Sequence, residues 1–128
     1  LSAHARIHLV DPLGYLDLVS ALRAARLVLT DSGGIQEEAP TFGTPVLVLR
    51  GVTERPEGIE AGVARLVGTD RDRIVEEAVR LLTDDEAHGA MAGARNPYGD
   101  GRAGERIADV LVSALTGAPR TTGPWEGP

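Results

Sequence analysis

The sequence predicts a parallel α/β fold, on three observations. Short, near-continuous apolar runs at residues 27–29, 46–49 and 63–67 have the composition of strands buried on both faces of a sheet. Helix-compatible segments alternate with them. The joints between are short and marked by glycine, which suits right-handed crossovers between neighbouring parallel strands.

Taken in order, Ile7-His8-Leu9-Val10 reads as a first strand, stopped at Asp11-Pro12. Residues 13–25 follow as a helix, with Leu13, Leu16, Val19 and Leu22 at i, i+3 spacing. Leu27-Val28-Leu29 is the second strand. It runs into Thr30-Asp31-Ser32-Gly33-Gly34 and then into helix-compatible Ile35-Gln36-Glu37-Glu38-Ala39. Gly43 and Pro45 end that helix. Val46-Leu47-Val48-Leu49 is a third strand, residues 56–61 a short helix ending at Gly62, and residues 63–67 a fourth strand closed by Gly68. Thr69 or Asp70 caps a helix through Leu82, whose buried face is Ile74, Val75, Ala78, Leu81 and Leu82. Another short helix is expected over 84–92, and a final amphipathic one over 103–115 with Ile107, Val110, Leu111 and Leu115. His8, His88 and Met91 read as surface or packing residues rather than ligands. The Gly/Pro/Thr-rich residues 117–128 are expected to be a disordered tail, leaving Trp125 without a functional role.

Composition narrows the function. A chain of 128 residues is long enough for one domain with a real core, and with only 3% aromatics that core must be aliphatic. No cysteine is present, so neither disulfides nor cysteine-based metal sites arise. A net charge of −6 argues against nucleic acid as a partner. No apolar run approaches a membrane span and no leader pattern opens the chain, so a cytoplasmic protein without a membrane partner is expected.

The chemistry centres on the strand–turn–helix junction at residues 27–39. Such a junction leaves backbone N–H groups unpaired beside the positive end of the helix dipole, which suits a phosphate. Gly33 and Gly34 remove the Cβ atoms that would hold a ligand away and permit positive φ. Ser32 has two uses, as a helix cap or as a hydroxyl donor to phosphate. Glu38 lies about one helical turn beyond Gly34, where a carboxylate accepts hydrogen bonds from a vicinal diol. The plainer alternative is a tight turn with a serine cap and two solvated acids. Arg55 leaves the C-terminal end of the third strand, the edge where ligands bind in open α/β sheets. It is either a cation for a pyrophosphate or half of a surface ion pair with Glu54 or Glu57. By its residues alone, Asn96-Pro97-Tyr98-Gly99-Asp100-Gly101 is a turn-rich loop.

Three stretches together resemble the motifs of the non-hydrolysing UDP-N-acetylglucosamine 2-epimerases: residues 30–39, Thr53-Glu54-Arg55-Pro56-Glu57, and Asn96-Pro97-Tyr98-Gly99-Asp100-Gly101, in the family's order. The resemblance extends to about Leu115. It implies a Rossmann-like three-layer sandwich over residues 1–116, similar to most of the C-terminal domain of a GT-B protein. In such a protein the terminal helix crosses toward a first domain. By the same resemblance, Ser32, Gly33 and Gly34 contact the phosphates of UDP and Glu38 the ribose. Arg55 meets charge, and the segment with Leu13 and Leu18 lies near the base. The family often has an aromatic residue where this chain has Leu18.

The family's reaction inverts C2 of UDP-GlcNAc by eliminating UDP and adding it back to the other face. The resemblance assigns this chain the holding of UDP, with Arg55 as a stabiliser of the leaving group. It assigns the acids, bases and the histidine of an HRxE-type motif to an N-terminal epimerase domain, the expected partner. His4 lies in the wrong context for that motif. No catalytic acid or base, cofactor or metal is therefore expected here, and the chain alone is expected to be inactive. One expected open sheet edge leaves room for a homodimer. Two other classes remain: a stand-alone UDP-sugar-binding regulatory module, favoured by a gene without a neighbouring N-terminal half, and half of a GT-B glycosyltransferase or a hydrolysing relative, marked by acceptor-dependent activity or by release of free ManNAc.

Overall fold

Three of the four predicted strands form, and they pair in the order of the sequence. In the computed structural model, which describes residues 4–127, β1 (Val28–Thr30), β2 (Val46–Val48) and β3 (Ala64–Leu66) make a parallel sheet in the order β1-β2-β3. Val28 stands beside Val46, and Val46 beside Ala64. The helices are α1 (Tyr15–Ala24), α2 (Gly33–Glu38), α3 (Pro56–Glu60), α4 (Arg71–Thr83), α5 (Asp85–Ala92) and α6 (Ala103–Thr116); a 3₁₀ turn, Ala39–Phe42, extends α2.

Side chains alternate across a strand, and this alternation builds three layers. Val46 and Val48 face one side of β2, where Leu18 and Leu22 of α1, Ala39 and Phe42 of the 3₁₀ turn and Ile59 of α3 pack against them. Leu47 faces the other, against Ile74, Ala78 and Leu81 of α4 and Met91 of α5. All of β2 is fully buried, as its uninterrupted apolar run requires. The fold is thus the predicted parallel α/β sandwich.

Local signals set the element ends. Asp70 caps α4 by accepting the Arg73 N–H at 2.9 Å, and Asp84 caps α5 by accepting those of Glu86 and Ala87. Gly43 closes the 3₁₀ turn with φ 68°, a conformation costly to any residue with a Cβ.

The expected strand at Ile7-His8-Leu9-Val10 does not form, so the sheet has three strands rather than four. The segment is exposed, with Leu9 at 66% and Val10 at 69%. A strand is stabilised by the ladder beside it, and among the described residues no strand pairs with this one. Among the described residues the outer edge of β1 is likewise unpaired, and Leu29 is 44% exposed.

No residue of α6 is buried. The helix is fixed through polar contacts: Arg106 forms a two-bond pair with Asp100 at 2.7 and 2.8 Å, and Asp109 accepts the N–H and hydroxyl groups of Thr121 and Thr122. Residues 117–127 contain no helix or strand.

Candidate functional site

The site begins where β1 ends. The Thr30 hydroxyl accepts the Ser32 N–H at 3.0 Å and sets the turn. Ser32 remains extended while its carbonyl accepts the Gln36 N–H, so α2 starts at Gly33, two residues before the apolar pattern begins. Neither Gly33 nor Gly34 has positive φ, and the expected need for it at this turn is corrected. Glycine serves here by leaving space. A Cβ on Gly33 would lie 3.8 Å from Nη2 of Arg55 and 3.9 Å from its Cζ, so the guanidinium lies against the face of that glycine. Ser32 occupies the cap position without a side-chain cap bond, leaving its hydroxyl free for the other use.

Arg55 is held at several points. Its backbone N–H donates to the Thr53 hydroxyl at 3.1 Å, and that hydroxyl donates to Oε1 of Gln36 at 2.6 Å. Gln36 is 1% exposed, so the chain of bonds starts inside the protein. Nε of Arg55 donates to the Glu37 carboxylate, and Nη1 donates to the Glu54 carbonyl at 3.1 Å. The ion-pair partner is therefore Glu37 on α2, rather than Glu54 or Glu57 as the plainer sequence reading had it. Among the described residues Nη2 has no protein acceptor, and it is the nitrogen at Gly33. Glu37 holds the Arg55 guanidinium above its ordinary pKa, through a hydrogen bond and then through charge. The cation is permanent.

Glu38 ends α2. With Glu37, Thr41, Asn96, Tyr98, Gly99, Asp100 and Gly101 it lines an open cavity of about 520 Å³. Its Oε2 is shielded from solvent and has no hydrogen-bond partner. An orphaned buried acceptor costs about 1–3 kcal/mol. Across the cavity, Tyr98 places its hydroxyl over Gly58 of α3. Burial, helped by the nearby Glu57 carboxylate, raises the Tyr98 phenol above its ordinary pKa.

Of the residues singled out in the sequence, Ser32, Gly33, Gly34 and Arg55 are gathered at the start of α2, with Glu38 at its end. Leu18 is turned into the core against the α1-side cluster, and Leu13 is exposed just ahead of α1. Sequence reasoning missed Gln36 and Glu37 as supports of Arg55, because their bonds to Thr53 and Arg55 span 17 and 18 residues and nothing local signals them. It also missed Thr53, whose bond to the Arg55 N–H is a local hydroxyl turn two residues long. Among the described residues no group of three acidic or histidine side chains is arranged to hold a metal ion. No helix among the described residues is long and apolar enough to cross a membrane.

Comparison with known proteins gives this geometry its setting. The family model of UDP-N-acetylglucosamine 2-epimerase matches residues 1–112. The UDP-N-acetylglucosamine 2-epimerase of Escherichia coli K12 is 59% identical over 103 residues, which are 80% of this chain and 27% of that protein. A crystal structure of UDP-N-acetylglucosamine 2-epimerase superimposes with a TM-score of 0.93 at 44% identity, covering 98% of this chain and 34% of its own. The Neisseria meningitidis UDP-GlcNAc 2-epimerase, solved bound to UDP-GlcNAc, superimposes with a TM-score of 0.81 at 44% identity, covering 88% of this chain and 31% of its own. The chain spans about a third or less of the length of each of these relatives. It belongs to the UDP-N-acetylglucosamine 2-epimerase family.

Proposed function

We propose that this chain is the UDP-holding part of an epimerase that interconverts UDP-GlcNAc and UDP-ManNAc, and that it supplies the diphosphate and ribose contacts of that reaction. The observation that carries the proposal is the free Nη2 of Arg55 lying against Gly33 at the exposed start of α2. Anions are favoured at such a place by unpaired N–H groups and by the fixed cation together. Ser32, Gly33 and Gly34 bind phosphate oxygens, Glu38 accepts the ribose hydroxyls, and the segment holding Leu13 and Leu18 lies toward the base. Membership of a family in which one relative was solved with UDP-GlcNAc supports the ligand class.

In this reading Arg55 acts on the leaving group. As the C1–O bond to the sugar breaks, negative charge grows on the diphosphate, and a cation held in place beforehand stabilises that state more than the ground state. Proton movement at C2 belongs to an N-terminal domain. The apolar stripe of Ile107, Val110, Leu111 and Leu115, each 43% exposed or more, supports such a domain as the partner of α6. By the same reading the domain spans residues 1–116, and the working compartment is the cytoplasm.

Calorimetric titration of the chain with UDP tests the proposal. Saturable binding that Arg55→Ala and Glu38→Ala each weaken is expected. Binding unaffected by both substitutions, or no binding by a folded chain, would overturn it.

A further inference from the structure

The loop 96–101 carries one of the family-like motifs but makes none of the hydrogen bonds that hold Arg55. Its geometry gives it another task. Asn96 accepts the Tyr98 N–H at 3.0 Å and donates to the Thr41 hydroxyl at 3.1 Å, which ties the loop to the turn after α2. Tyr98 reaches from there to α3, where Gly58 is buried. A Cβ on Gly58 would overlap the Tyr98 hydroxyl oxygen and lie 3.3 Å from Cζ and 3.5 Å from Cε2. Gly58 does not have positive φ, so its backbone does not require glycine. The tyrosine does.

Gly58 lies three residues after Arg55, in the first turn of α3. Arg55 is fixed on one side by Thr53, whose hydroxyl takes its N–H, and on the other by the seating of α3. We infer that Tyr98 is a positioning residue: by filling the surface of Gly58 it fixes the start of α3 and so holds the Arg55 guanidinium over Gly33. The loop then serves the anion site without touching the anion. The inference rests on the nucleotide reading for its effect on binding, but not for its geometry. The influence of Glu57, Glu37 and Arg55 on the Tyr98 phenol agrees with their closeness.

A size-complementation experiment tests it. Gly58→Ala should displace the ring and, because a shift of about 1 Å in a binding group is costly, weaken UDP binding by about tenfold. Tyr98→Phe removes the oxygen that meets Gly58 and loosens the seat, so alone it should weaken UDP binding, but by less than Gly58→Ala does. Gly58→Ala with Tyr98→Phe should recover most of the loss. Should Gly58→Ala fail to fold, Tyr98→Leu empties the seat without adding bulk and should weaken binding similarly. The Arg55 Nε–H resonance, hydrogen-bonded to Glu37, gives a readout without ligand. It should shift or broaden in Gly58→Ala and return in the double variant. Normal binding and an unmoved resonance in Gly58→Ala, or no recovery in the double variant, would overturn the inference. If the unaltered chain does not bind UDP, the nucleotide reading falls and the resonance alone decides.

Discussion

The buried bond between Gln36 and Thr53 gives a prediction whose sign runs against intuition. Gln36 is almost wholly buried, yet only its Oε1 is paired; its Nε2 has no partner. Thr53→Val keeps the shape but leaves the whole Gln36 amide unpaired and removes the acceptor of the Arg55 N–H, at a joint cost of about 2–3 kcal/mol. Gln36→Leu loses the same bond, worth about 1 kcal/mol, but also removes the orphaned Nε2, worth about 1–3 kcal/mol. The two effects offset, so Gln36→Leu should alter stability by no more than about 1 kcal/mol in either direction. In the double variant no glutamine remains to be stranded. Its stability should therefore fall below that of Gln36→Leu only by the lost Arg55 N–H bond, about 1 kcal/mol, well short of the sum of the two single costs. In a domain of this size Thr53→Val should lower the melting temperature by about 6–12 °C, Gln36→Leu should change it by a few degrees at most, and the double variant should lie about 3–5 °C below Gln36→Leu. Thermal unfolding followed by circular dichroism reads all three. The reasoning fails if Gln36→Leu costs as much as Thr53→Val, or if the two costs add.

Two further predictions concern the start of α2 and the C-terminal segment. Gly33→Ala puts a methyl group 3.8 Å from Nη2 of Arg55, in ordinary contact, so it should fold and even gain up to about 1 kcal/mol in the helix. The methyl stands where a phosphate oxygen must come, and calorimetry should show UDP binding weakened by about tenfold or more. The Asp109 carboxyl is held well below its ordinary 3.8 by the N–H and hydroxyl of Thr122 and by the N–H of Thr121. A depressed folded-state pKa means that this contact stabilises fully above the ordinary value and is lost as pH falls below it. Hydrogen exchange at the Thr122 amide should therefore stay slow near neutrality and speed up below about pH 3.8, relative to its intrinsic rate, with Asp109→Asn showing fast exchange throughout.

Much of the fold was legible because its signals are local. The unbroken apolar run of β2 can only be a strand buried on both faces, and it is. Asp70 and Asp84 announce helix starts through their own side chains, and Gly43 and Gly62 take the left-handed conformations that their places as stops call for. The strand expected at Ile7-His8-Leu9-Val10 shows the limit. Its residues favour extended backbone, but a strand exists only beside another strand, and no propensity supplies that neighbour. The site divides in the same way. The glycine turn and the acid one turn beyond it could be read from spacing. The grip of Glu37 and Gln36 could not, since it depends on how β1 and β2 set their C-terminal ends side by side; the Thr53 hydroxyl on the Arg55 N–H is by contrast a local turn. Nor could the seat of Tyr98 on Gly58, which joins residues 40 positions apart.

The claim on which the rest depends is the location of the anion site, and one measurement addresses it directly. In a titration followed by ¹H–¹⁵N correlation spectra, UDP should shift the amides of Gly33, Gly34 and Ile35 and the Nε–H of Arg55 along one saturation curve. Uridine, which lacks the diphosphate, should leave the same signals nearly unmoved. If UDP leaves them in place, or moves only distant residues such as those around Asp109, the start of α2 is not the site and the account is wrong.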